Sequence, residues 1–84
     1  MSILANDAGV AKAIRAWIDG RMVRVALEDG REIAFPCDRY RLLRNATPEQ
    51  LGEVRIEARG RALRWETVDE DLSIDGILAG RWLP

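Results

Sequence analysis

The chain has 84 residues, 48% hydrophobic and 32% charged, and a formal net charge of −1 from 13 basic and 14 acidic side chains. That balance is globular rather than disordered, the length provides for one domain, and no global charge draws the chain to nucleic acid or an anionic membrane. One cysteine, Cys37, and no histidine exclude an intramolecular disulfide, the common zinc sites and any triad built on an imidazole.

Residues 1–84 are read as a single domain whose first nine residues form a loose tail. Met1 to Val10 contains Asn6 and Asp7 and has no basic region ahead of an apolar one. No apolar run approaches the roughly 18 residues of a membrane span, so a cytoplasmic location is expected. Three X-Gly steps then punctuate the chain, Asp19-Gly20, Asp29-Gly30 and Arg59-Gly60, each flanked by β-branched, aromatic or alternating residues, and each predicts a hairpin.

Apolar pairing across the strands predicts the register. A two-residue Asp19-Gly20 turn pairs Ile14 with Val25 and Ala16 with Val23, and sets Arg15 opposite Arg24 and Trp17 opposite Met22 on the reverse face. At the second hairpin a two-residue turn places Leu27 against Glu32. A three-residue loop, Glu28-Asp29-Gly30, with Gly30 in a left-handed bulge position, instead pairs Val25 with Ile33 and Val23 with Phe35.

Pro36 cannot donate to a ladder and ends the third strand. Asp38 is the expected N-cap of a short helical turn through Tyr40, Leu42 and Leu43. Thr47-Pro48-Glu49-Gln50 has the residues of a capping box with proline at the first helical position, and Gly52 limits that helix to a turn or two. A two-residue Arg59-Gly60 turn pairs Ile56 with Leu63 and Val54 with Trp65. Asp69-Glu70-Asp71 is too charged to be buried, Leu72 adds a brief strand, and Ser73 caps a short helix from Ile74 to Ala79 ending at Gly80. Ile74, Ile77 and Leu78 have the spacing to dock that helix. The expected fold is α+β: an antiparallel sheet of about five strands in hairpins, short helical turns between strands three and four, and a short C-terminal helix. Its core face holds Val23, Val25, Ile33, Phe35, Val54, Ile56, Leu63 and Trp65.

The stretch from Leu27 to Arg81 resembles the bacterial family catalogued as domain of unknown function 2442. The resemblance rests on Leu27-Glu28-Asp29-Gly30-Arg31-Glu32-Ile33, on Arg41-Leu42-Leu43 followed by Ala46-Thr47-Pro48-Glu49-Gln50, and on Trp65, Asp69-Glu70-Asp71 and Ile74-Asp75-Gly76-Ile77-Leu78-Ala79-Gly80. It implies a small α+β domain, found alone or joined to a helix-turn-helix module, with some members resembling the second gene of toxin-antitoxin-like pairs. This chain departs from the family pattern around Asp38 to Tyr40, where relatives often carry tryptophan or proline. It departs again at Arg64, where they often carry histidine.

No catalytic, metal or cofactor residues are assigned. Asp69-Glu70-Asp71, with Glu66 and Asp75, has oxygens suited to a hard cation, but carboxylates just ahead of a helix favour its N-terminal end and bond to local backbone N–H groups, and that structural role is preferred. Cys37 has a neighbouring arginine and no base, and reads as buried or incidental. Arg15 opposite Arg24 and Arg55 opposite Arg64 place like charges on the face away from the core. Either carboxylates such as Glu57 and Glu66 neutralise them, or the face meets an anion or an acidic partner, with Trp17 and Met22 supplying apolar contact. The candidate partner-binding residues are Arg15, Trp17, Met22, Arg24, Arg55, Arg64 and Trp82. Trp17 and Trp82 also suit a homodimer contact. The expected function is a non-enzymatic protein-interaction module, the regulatory or antitoxin-like member of a two-gene pair. The alternative is a nucleic-acid-binding accessory domain using the arginine-rich face.

Overall fold

The structure, a computed structural model, describes residues 11–81. The expected loose tail and Trp82 lie outside the described residues. Among the described residues six strands form two antiparallel sheets of three rather than one sheet of about five. The first is a meander of β1 (Ala13–Asp19), β2 (Met22–Leu27) and β3 (Glu32–Pro36), and the second a meander of β4 (Arg55–Glu57), β5 (Ala62–Trp65) and β6 (Glu70–Ser73). Between them runs a connector made of a 3-10 turn (Cys37–Arg39), α1 (Arg41–Arg44) and α2 (Pro48–Leu51), and α3 (Ile74–Leu78) follows β6.

The second hairpin has the expected register. Val25 pairs with Ile33 and Val23 with Phe35, Leu27 N–H donates to the Arg31 carbonyl at 2.8 Å across a three-residue loop, and Gly30 has φ 95°. The first hairpin differs by one residue per strand. Asp19 pairs with Met22, so the turn is Gly20-Arg21, with Gly20 at φ 63° in the first central position as a type II′ turn requires. Trp17 therefore faces Arg24 rather than Met22, and Arg15 faces Ala26 rather than Arg24. Each partner moves by two positions, so the faces are preserved while the pairs change. A bulge between Ala13 and Arg15 buries Ala13 and turns Ile14 outward, 62% exposed instead of paired with Val25.

At the third hairpin Ile56 pairs with Leu63 and Arg55 with Arg64 as expected, and Arg59 (φ 57°, ψ 41°) and Gly60 (φ 90°) form the central pair of a type I′ turn. Ala58 also takes a positive φ, 53°, and Val54 precedes the first ladder residue, Arg55, so this ladder spans three pairs. A Cβ on Gly60 would lie 2.9 Å from the Ala13 carbonyl oxygen and 3.0 Å from the Lys12 Cβ, so the turn backbone rests directly on the start of β1.

Asp38 is not the cap of the helical connector. Its carboxylate instead accepts from Arg21 at 2.9 Å, and the Arg21 guanidinium also donates to the Arg44 carbonyl at 2.9 Å and the Ala46 carbonyl at 3.2 Å. One arginine in the first hairpin turn thereby satisfies the carbonyls left open where α1 ends. The capping box of α2 is present in both directions, with Gln50 N–H donating to Thr47 Oγ1 and Thr47 N–H to Gln50 Oε1. Ser73 Oγ accepts from Gly76 N–H at 2.9 Å to start α3, which buries Ile74 and Ile77 but leaves Leu78 exposed.

The core lies between the inner sheet faces and the connector. Of the eight expected core residues, Val23, Val25, Phe35, Leu63 and Trp65 are buried, while Ile33, Val54 and Ile56 are partly buried against them. Ala13, Leu27, Cys37, Tyr40, Leu43, Ala46, Leu51, Leu72, Ile74 and Ile77 are the other buried residues of the cluster. Trp65 is fully buried, and its indole N–H donates to the Leu51 carbonyl at 3.0 Å.

Trp65→Phe removes that donor and leaves a void, and is expected to destabilise the protein by about 2–4 kcal/mol in urea unfolding. Arg21→Ala strips the end of α1 of its donors and is expected to lose about 1–3 kcal/mol, with Arg21→Lys recovering only part because an ammonium cannot span the same acceptors.

Candidate functional site

The alternation of β1 and β2 puts Arg15, Trp17, Met22 and Arg24 together on the outer face of the first sheet, opposite buried Val23 and Val25. The Arg15 guanidinium stacks 4.2 Å from the centre of the Trp17 ring, a cation–π contact on an edge strand. Arg24 is engaged by Asp19 at 3.0 Å and Glu32 at 3.4 Å, and Met22 is half-buried between its neighbours Asp19 and Pro36. Ile14 adds an exposed apolar side chain beside Arg15.

Arg55 and Arg64 stand opposite each other on the second sheet, as expected, but in a carboxylate network. Arg55 donates to Glu57 at 2.6 Å and Glu66 at 2.8 Å, while Arg64 donates to Asp71 at 2.7 Å, Asp69 at 2.9 Å and Glu66 at 3.2 Å. Two arginines therefore meet four carboxylates, and the neutralised arrangement describes this pair. Arg64 is the hub, with its side chain only 19% exposed. Its hydrogen bonds to Glu66 and Asp69 push its pKa up, and the same contact holds Glu66 below the ordinary glutamate value.

Asp69 and Asp71 are thus ion-paired on the outside of the sheet, not gathered for a cation, and among the described residues no three His, Cys, Asp or Glu side chains converge as a metal site. Glu70 starts β6 and points with Trp65 toward the core side, where half-burial raises its pKa. Burial, only partly offset by the positive charge of Arg21, raises the pKa of Cys37, so its thiol is held in the unreactive form.

Two open recesses accompany these faces. One, of about 230 Å³, is lined by Tyr40, Asp71, Leu72, Ser73, Gly76 and Arg81. The other, of about 400 Å³, is lined by Lys12, Ala58, Arg59 and Arg61. The second grouping is absent from the sequence-based candidates. Arg59 and Arg61 flank a visible turn glycine, but the approach of Lys12 depends on contact between distant segments.

Fold and site together define a small α+β domain whose clustered charged and aromatic side chains lie on exposed sheet faces. The chain belongs to the family described as protein of unknown function (DUF2442), whose model matches residues 13–81. A crystal structure of a protein of unknown function from Rhodospirillum rubrum is similar at 38% identity with a TM-score of 0.83, over 88% of this chain and 92% of its own. A solution structure of an uncharacterized protein from Chromobacterium violaceum is similar at 27% identity with a TM-score of 0.78, over 98% of this chain and 77% of its own. No curated protein matches the chain. Among the described residues no helix is long and apolar enough to cross a membrane.

The two glutamates titrate on opposite sides of 4.5, their ordinary value. Glu66, lowered, contributes stability that is present above 4.5 and lost as pH falls through its folded value. Glu70, raised, contributes in the opposite sense, with stability falling as pH rises from 4.5 through its folded value. Carboxyl-carbon NMR titration is expected to find Glu66 below and Glu70 above that value, and Arg64→Met to move Glu66 upward while leaving Glu70 in place.

Proposed function

We propose that this protein is a non-enzymatic interaction module of the cytoplasm that binds a protein partner through the outer face of its first sheet, as the regulatory or antitoxin-like member of a two-gene pair. The observation that carries this reading is the Arg15–Trp17 stack on edge strand β1, flanked by exposed Ile14 and by Met22 and Arg24. Tryptophan, arginine and methionine are the residue types enriched at protein interfaces, and tryptophan and arginine are those whose truncation most often weakens binding. Trp17 is pre-ordered by its stack, which lowers the entropy lost on docking. Among the described residues β1 is an edge of its sheet, and a strand edge is a place where a partner strand can pair. The same face suits a homodimer.

The nucleic-acid alternative draws less support from the sheet faces, because Arg24, Arg55 and Arg64 already hold carboxylates that phosphates would have to displace. Arg55 and Arg64 are accordingly assigned a structural part and not a partner contact.

The test is co-purification with the product of the adjacent gene, followed by calorimetry. Trp17→Ala is expected to weaken the complex about 30-fold or more, as loss of a hot-spot tryptophan costs about 2 kcal/mol or more, and Arg15→Ala about 5- to 10-fold. Arg55→Ala is expected to change it little. An affinity insensitive to Trp17→Ala, or more sensitive to Arg55→Ala, overturns the assignment of the face. Sedimentation of a monomer at micromolar concentration removes the homodimer.

A further inference from the structure

The recess beside the third hairpin has a composition found in neither sheet face. Its lining is Lys12, Arg59, Arg61 and Ala58, three cations without a carboxylate among them. Arg21, Arg24, Arg31, Arg55 and Arg64 each meet an acidic side chain, yet none of these three cations does so among the described residues. Like charges brought together without a counter-ion repel, so something other than their own attraction must assemble them.

The backbone does so. Gly60 is buried with its Cα against the Ala13 carbonyl and the Lys12 side chain, leaving no space for a Cβ, and this contact fixes the turn relative to Lys12. Arg59 and Ala58 both sit at positive φ, a region disfavoured for residues with side chains. The three cations are therefore positioned by a tight turn seated on β1.

We propose that this recess binds a small phosphate-bearing anion through Lys12, Arg59 and Arg61. Two guanidiniums and an ammonium supply the forked and single donors that a phosphate with several acceptor oxygens uses. The volume of about 400 Å³ falls within the roughly 300–1,000 Å³ of small-ligand sites. A nucleic-acid strand fits less well. Among the described residues the recess has no aromatic ring to stack a base, and a chain of net charge −1 offers no extended field along a polyanion. This site is separate from the Arg15–Trp17 face, and either can fail without the other.

The test is a titration of ¹⁵N-labelled protein with inorganic phosphate, against sodium chloride at matched ionic strength. Phosphate is expected to give saturable amide shifts at Lys12 and residues 58–62 in the millimolar range. Arg59→Ala and Arg61→Ala should each weaken binding about fivefold or more and together abolish saturation. Arg44→Ala, an exposed arginine of α1, should leave it unchanged. Both recess arginines are exposed, and unchanged circular dichroism verifies that the variants fold. Equal shifts with chloride, or equal weakening by Arg44→Ala, overturn the proposal. Saturation of the same amides by a short oligothymidylate at about tenfold lower phosphate concentration overturns it in favour of a nucleic-acid strand.

Discussion

The hydrogen bond from the Trp65 indole to the Leu51 carbonyl holds together the parts of this fold that have least stability of their own. The helices of the connector are four residues each, far below the length at which a helix persists in water, so fixed partners must supply what propagation cannot. Trp65 ties the end of α2 to the second sheet from within the core. Arg21 performs the corresponding task for α1 from the surface, reaching from the first hairpin turn to the carbonyls of Arg44 and Ala46. The connector is pinned to a different sheet at each end, and that brings two three-stranded meanders around one core.

A shared core explains why neither sheet is self-sufficient. Each supplies one apolar face, and the space between is filled by residues from the short elements: Leu43 and Leu51 from the connector, Ile74 and Ile77 from α3. The edge-to-face contact of Phe35 and Tyr40, 5.6 Å between ring centres, joins the end of β3 to the connector in the same way. Cys37 belongs to this filling, and its raised pKa is a consequence of burial rather than a sign of chemistry.

What could be read from the chain follows from how far each interaction reaches. The bulged Gly30 loop, the capping box of α2, the Ser73 cap of α3 and the pairing of Ile56 with Leu63 in the third hairpin depend on neighbours in sequence or on apolar pairing, and all were legible. The first hairpin was ambiguous because Val23 and Val25 can face Ile14 and Ala16 or Ala16 and Ile18, and both registers bury an apolar set. Local charge favours the observed one: Asp19 remains in the strand, where its carboxylate reaches Arg24. The clasp of Arg21 on the Arg44 and Ala46 carbonyls spans 23 to 25 residues of sequence and leaves no periodic trace. The division into two sheets was likewise invisible, because strand pairs can be inferred from apolar matching but the absence of a ladder between β1 and β4 cannot.

The arginines show why residue type alone does not identify a site. Thirteen basic residues against fourteen acidic ones suggest an even surface, yet the third hairpin is divided along its length. Mid-strand, Arg55 and Arg64 are outnumbered by Glu57, Glu66, Asp69 and Asp71. At the turn, Arg59 and Arg61 join Lys12 with no acidic side chain among the described residues of the lining. Exposed ion pairs are individually weak in water, so the mid-strand network acts chiefly by restricting side chains and holding Asp69, at φ 56°, in its turn. The unneutralised charge is displaced to the hairpin tip, where the backbone of Gly60 and not an opposing carboxylate fixes it. An arginine on the outer face of the first sheet, Arg15, is different again, since its partner is a π-face and its charge stays available to a second molecule. Three environments for one side chain type are thus distinguished among the described residues: a carboxylate-paired network around Arg64, a cationic turn at Arg59 and Arg61, and a π-stacked arginine on the face of the first sheet.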